Sequence, residues 1–187
     1  MNIQKKLQVG VFLLAFVTLL AVGCVLDKNP SPSQPSPGEV SQETEGGQTG
    51  EVVALYFADA GANGLVKEER EIVFDDEENI ALFVLEELLK GPVSPELERT
   101  IPQGVRVVSI TVEEGIATVD FSEELRSKHS GGSTGELLTV YSIVNTLTGL
   151  PGLEKVKFLI EGKELETLAG HMELSEPVAP DWNMVLD

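Results

Sequence analysis

The chain has 187 residues, with 13 Lys and Arg against 31 Asp and Glu, a formal charge of −18 and one cysteine. A surface this acidic repels nucleic acid and anionic lipid headgroups, so neither is an expected partner. One cysteine leaves no intramolecular disulfide, and the length suits a single domain with tails.

The first element is an export signal. Lys5 and Lys6 precede an apolar run from Val9 to Val22, and Ala21-Val22-Gly23 leads into Cys24. A basic start, an apolar middle and small residues before a cleavage point are the three parts of such a signal. With a cysteine directly after the cut, the segment resembles a bacterial lipoprotein signal spanning 1–23. Ala21 stands where the usual leucine would be, with Leu20 one place earlier. The resemblance implies lipidation of the Cys24 thiol, which removes that sulfur from any catalytic role. The alternative is a retained transmembrane helix, but a run of about fourteen residues falls short of the roughly 20 that span a bilayer. Cleavage would remove two lysines and no acid, leaving 11 Lys and Arg against 31 Asp and Glu, a charge of −20. One acyl chain holds a membrane weakly and several hold it firmly. The two or three chains of a mature bacterial lipoprotein imply a lasting membrane anchor.

Residues 24–50 follow as the lipidated cysteine and a tether rich in Pro, Ser, Gln, Glu and Gly. Such a stretch cannot bury enough apolar surface to offset its ordering entropy. Its Pro-rich half favours extended conformations at about 3.1 Å per residue, so it serves as a spacer. A PxxP ligand between Pro32 and Pro37 is the sharper and less favoured reading.

A domain is expected over 51–178. VVALYFA (52–58) and REIVF (70–74) read as strands on either side of the turn-like AGANG (60–64). A helix runs to Lys90, with Ile80, Phe83, Val84 and Leu88 on one face, and Gly91-Pro92 ends it. Asp75-Asp76-Glu77-Glu78 has the look of a metal site but lacks the alternating ligands and turn glycine of a calcium loop. Acids at a helix start complement its dipole, so capping is the preferred reading. Ser94-Pro95-Glu96 suits a short helical turn, and Ile101-Pro102-Gln103-Gly104 makes a bend. A hairpin follows: Val108, Ile110 and Val112 alternate to one face, as do Ala117, Val119 and Phe121, with Glu114-Gly115 at the turn.

The second helix begins at GGSTGE, with Leu137, Val140, Tyr141, Val144 and Leu147 as its buried stripe and Gly149 and Pro151 at its end. Val156, Phe158 and Ile160 form a strand that returns through Glu161-Gly162 into KELET. Residues 179–187 read as a C-terminal tail. The order β-β-α-β-β-α-β-β predicts an α+β fold, a two-layer sandwich of two helices on a mostly antiparallel sheet.

Gly131-Gly132-Ser133-Thr134-Gly135 before a helix is the most enzyme-like stretch. A P-loop ends in GK[ST], whereas here Glu136 follows and would repel a phosphate. Ser133 and Glu136 spell S-x-x-E, a capping box in which the two residues satisfy each other's orphan backbone donors. His129 and His171 are the two histidines, and neither has a cysteine or second histidine at zinc-ligand spacing. A Ser133-His171-acid triad lacks the G-x-S-x-G elbow. Among 31 acids, carboxylate pairs occur by chance. No catalytic residue, metal or cofactor is expected.

GELLTVYSIVNTLTGLPGLEKVKFLIEGKELETLAGHMELSEP (135–177) resembles the GerMN domain, the sporulation and spore-germination domain of bacterial envelope proteins. ALYFAD (54–59), LLKGP (88–92), IPQGVRV (101–107) and EEGIATVDFSEEL (113–125) match the same family in the same order. The resemblance covers about residues 52–178. It implies a compact fold similar to ring-building modules of sporulation and secretion assemblies, frequent lipidation and no established catalytic residues. The leading expectation is a non-enzymatic, lipid-anchored envelope protein on the extracytoplasmic face of a bacterial membrane. Its domain would bind another envelope protein, with sporulation or germination as the expected setting. A receptor for a small molecule or cell-wall fragment is the alternative, and it requires a pocket near Ser133 and His171. A hydrolase using Ser133 is the third reading.

Overall fold

The computed structural model describes residues 49–74 and 80–186. The signal, Cys24, nearly all of the tether and the acidic cluster Asp75–Glu78 lie outside the described residues.

Strands β1 (Thr49–Asp59) and β2 (Leu65–Phe74) form an antiparallel hairpin. Both are longer than the apolar cores that announced them, because the charged run Lys67 to Glu71 continues the ladder. Asp59 closes the turn, accepting backbone N–H groups of Gly61, Asn63 and Gly64 at 3.2, 2.6 and 3.2 Å. Helix α1 (Ile80–Lys90) buries Ala81, Val84, Leu85 and Leu88. Arg99 finishes it, donating to the carbonyls of Leu89 and Lys90, where a cation complements the helix dipole. The turn expected at 94–96 forms: the Ser94 carbonyl accepts the Leu97 N–H and its hydroxyl accepts that of Glu96, both at 3.3 Å, and the chain enters β3 (Leu97–Glu98), which pairs with β1 at Ala58 and Asp59.

β4 (Val107–Glu113) and β5 (Ile116–Phe121) make the predicted hairpin. Glu114 and Gly115 have φ of 50° and 79°, so both turn residues are left-handed, as a type I′ turn requires. Glu161 and Gly162 repeat the device at 49° and 75° between β6 (Lys155–Ile160) and β7 (Lys163–Glu164). A short helix α2 (Glu124–Ser127), unannounced by periodicity, precedes the long α3 (Ser133–Thr148).

The α+β class stands, but the strands divide into two sheets, ordered β2-β1-β3 and β4-β5-β6-β7. β5 and β6 run parallel. A parallel pair needs a crossover of a dozen or more residues, and the segment carrying α3 supplies it. The apolar faces of both sheets and both long helices share one core, including Phe57, Phe121, Phe158, Leu85 and Ile143.

α3 is buried around most of its circumference rather than along the expected stripe: Leu137 and Tyr141 are half-buried, while Leu138 and Ile143 are buried. It packs on β1, α1, β6 and the C-terminal turn. Its buried polar side chains are each satisfied. Thr139 donates to the Thr100 carbonyl at 2.6 Å, and Thr146 accepts the Tyr56 N–H at 3.2 Å. Asn145 makes two bonds to the backbone of Asp181, at 3.0 and 3.1 Å. The expected tail is therefore fastened to the domain. Val178 bridges Val156, Trp182 meets Tyr56 edge-on at 5.9 Å, and the Leu186 N–H reaches the Leu65 carbonyl at 2.7 Å.

Candidate functional site

The capping box at Ser133 and Glu136 does not form. Gly132 is the N-cap of α3, with extended backbone and no side-chain cap bond, and Ser133 is exposed. Glu136 turns the other way and is fully buried. Its Oε1 accepts the N–H groups of Leu168 and Ala169 at 2.9 and 2.8 Å, and its Oε2 accepts that of His171 at 2.8 Å. Burial pushes this carboxyl up. The N–H groups of Ala169, His171, Leu168 and Met172 outweigh burial and hold it below the usual carboxylate range. Gly170, with φ of 91°, lets the chain curl so that these donors converge. Because Ser133 caps nothing, Ser133→Ala should leave stability within about 0.5 kcal/mol of the parent in urea denaturation.

His171 contributes its backbone N–H to this clasp while the residue itself is exposed, and no hydrogen bond joins it to Ser133. His129 lies elsewhere. Its Nε2 is 3.1 Å from the Thr139 hydroxyl, whose one proton goes to the Thr100 carbonyl. The neutral ring therefore carries its proton on Nε2, leaving Nδ1 buried and unpartnered. Among the described residues, no group of three or more His, Cys, Asp and Glu could hold a metal ion.

A cavity of about 540 Å³ opens beside His129, lined by the Asp59–Ala62 turn, residues 98–103 and 128–131, and the start of α3. Neither Ser133 nor His171 lines it. Three of its four charged side chains face the fold, and the fourth, Glu98, is exposed. Asp59 is held below the ordinary range chiefly by the Asn63 side-chain amide, then by the backbone N–H groups of its own turn. Arg99 is committed to the end of α1, and Lys128 lies 3.4 Å from the Gln103 carbonyl. Polar groups aimed at a guest are what a ligand site needs, and these serve the protein instead.

The sheet edges differ sharply. β3 and β7 are two residues long, and β2 presents Lys67, Glu69 and Glu71 ahead of the exposed Val73, with its start closed by Val185 and Leu186. Short strands and charges are the usual guards against edge pairing. β4 is a seven-residue edge with no charged side chain before Glu113. Ile110 and Val112 lie opposite the buried Val119 and Ala117, so they share the core face. Yet Val112 is 50% exposed and Val108 54%, contrary to the alternation that placed both inside. Val112 sits at the sheet margin, and a bulge between Val107 and Ser109 breaks the period at Val108.

The family model described as Germane, sporulation and spore germination, matches residues 54–166. The chain belongs to this family. The first GerMN domain of the Bacillus subtilis sporulation protein GerM is similar to this Germane domain, at 27% identity with a TM-score of 0.51, over 70% of this chain and 96% of that one. The tandem GerMN domains of the same protein give 21% and 0.58, over 70% of this chain and 46% of the tandem. A candidate lipoprotein from Clostridium perfringens gives 22% and 0.52, over 71% and 88%. No curated protein matches the sequence. The Germane domain accounts for both long helices and most strands. The tail that Asn145 fastens lies beyond the matched residues, and its sequence signals were the Asn in mid-helix and the apolar Trp182, which meets Tyr56.

Proposed function

We propose that this protein is a lipid-anchored envelope lipoprotein whose Germane domain is a protein-interaction module acting in sporulation or spore germination. The observation that carries the interaction reading is the open β4 edge, with Val108 and Val112 exposed where the other edges are short or charged. An extended partner segment can add to such an edge through backbone hydrogen bonds. The anchor is supported by Cys24 after an apolar signal and by the likeness to a candidate lipoprotein. Among the described residues, no helix is long and apolar enough to cross a membrane. The reading is non-enzymatic, since Ser133, His129 and His171 form no catalytic constellation and Asp59, Arg99 and Lys128 in the cavity are engaged by the fold.

Full-length protein should fractionate with bacterial membranes, and Cys24→Ser should release it to the soluble extracytoplasmic fraction. Retention of the Cys24→Ser chain on the membrane would refute the lipid anchor. Val112→Lys should keep the protein on the membrane while abolishing its crosslinks to other proteins. Unchanged crosslinks would refute the β4 surface.

A further inference from the structure

The turn between β1 and β2 holds a chemically labile dipeptide. We propose that Asn63 is a deamidation site kept closed by Asp59 and by the C-terminal strap, Val178 to Leu186. The inference is independent of the interaction reading above. Asn63 is the one asparagine followed by glycine in the sequence. It is exposed, whereas Gly64 is buried. In such a pair the Gly64 nitrogen can attack the Asn63 Cγ, because the glycine carries no side chain to hinder the approach. The Cγ–Nδ2 bond breaks, and the hydrogen given up by the Gly64 nitrogen leaves with Nδ2 as ammonia. Water then opens the cyclic imide. Addition at Cγ gives an aspartyl residue. Addition at the backbone carbonyl carbon gives an isoaspartyl residue, whose main chain runs through the former side chain.

The fold both requires this glycine and restrains it. A Cβ at position 64 would lie 2.8 Å from the Leu186 Cγ and from the Met184 carbonyl oxygen, so the strap seats directly on the glycine. The bond from the Leu186 N–H to the Leu65 carbonyl fixes that seat. On its other side, the Gly64 carbonyl accepts the Asp59 N–H at 3.1 Å. Ring closure draws the Gly64 nitrogen into bonding distance of Cγ, and a glycine held on both sides resists the movement.

Asp59 opposes the same step by charge. Its Oδ1 accepts the Gly64 N–H at 3.2 Å, and its Oδ2 accepts the Asn63 side-chain amide at 2.8 Å. Nucleophile and leaving group are thus both tied, as donors, to one carboxylate. The reaction strips the proton from the Gly64 nitrogen and builds negative charge on the Asn63 side-chain oxygen, beside an anion that disfavours both. The imide keeps neither N–H, so Asp59 loses two of the four hydrogen bonds it accepts. Hydrolysis at Cγ then sets a second carboxylate where the amide donor stood. Conversion therefore waits for local openings that lift Leu186 from Gly64. Being irreversible, it records them, and an isoaspartyl link lengthens the turn beneath the strap.

The test incubates full-length protein at mildly alkaline pH, which favours amide deprotonation. The amide-to-acid mass change and the isoaspartate content are followed in the digested peptide carrying Asn63. Folded parent should convert several-fold more slowly than the same chain in urea. Asp59→Ala and Leu186→Ala should each speed conversion of the folded chain several-fold, with circular dichroism verifying the fold. Asn183 is exposed but followed by Met184, so it serves as the slow internal reference. Where Asp59→Ala does not fold, Asp59→Asn removes the charge, keeps an acceptor and should show the same acceleration. Equal rates in folded and unfolded parent overturn the proposal, as does a folded Asp59 variant converting at the parental rate. A folded Leu186→Ala chain at the parental rate overturns the part assigned to the strap.

Discussion

Glu136→Ala should destabilise the domain by about 3–5 kcal/mol, as much as truncating a buried core phenylalanine. The substitution leaves the N–H groups of Leu168, Ala169 and His171 facing a void. Each buried donor that loses its acceptor costs about 1–3 kcal/mol, and partial rehydration keeps the sum below the arithmetic maximum. Glu136→Gln preserves shape but sets an amide NH₂ against at least one of these donors, so it should lose about half as much. Urea midpoints measure both. The carboxyl's folded pKa lies below its unfolded value, so its contribution is fully present above about pH 4.5. It is lost as pH falls through the folded value, because protonation favours the unfolded chain. Glu136→Gln should therefore show a shallower loss of stability on acidification than the parent. An equal acid limb in both proteins would show that other carboxylates carry it.

Arg70→Ala should cost about 2–4 kcal/mol, by removing a charged group that ties β2 to the end of α1. Its Nη1 donates to the Glu87 carbonyl at 3.0 Å, its Nη2 to the Gly91 carbonyl at 3.1 Å, and its guanidinium lies over Phe57 at 5.9 Å. Glu68 pairs with the same guanidinium and accepts the Val93 and Ser94 N–H groups at 3.0 and 2.9 Å. Burial pushes the Glu68 carboxyl up, but the Ser94 N–H, the Arg70 hydrogen bond and the Val93 N–H hold it below the usual range. Arg70→Lys keeps the charge but cannot span two carbonyls and a carboxylate from one rigid fork. It should recover less than half of the loss in denaturant titration. Full recovery by lysine would mean that charge alone matters at this position.

Turn chemistry and period made much of this fold legible in advance. Glu114-Gly115 and Glu161-Gly162 are local signals, and the left-handed backbone each needs is set by those two residues. α1 and α3 declared themselves by apolar spacing. β3 has two residues and no pattern to show, and the parallel pairing of β5 with β6 depends on where the α3 crossover delivers the chain. Ser133 and Glu136 illustrate a deeper limit. Their spacing is that of a local cap, yet Glu136 is claimed by donors 32 to 35 residues downstream. Non-local donors in a buried setting outweigh a solvent-exposed cap. At β4 the apolar alternation correctly announced a strand. It carried no information on whether another element covers the outer valines.

The strap from Val178 to Leu186 has a consequence for the order of folding. Leu186 bonds to Leu65, 121 residues earlier in the chain. Contacts so distant in sequence are slow to form, whereas the β1–β2 hairpin closes over a short turn. The first sheet can therefore pair while its margin beside Leu65 is still unsealed and Asn145 still lacks the Asp181 backbone. Final locking of the domain is a late event, and the strap works as a latch that closes on an already paired sheet.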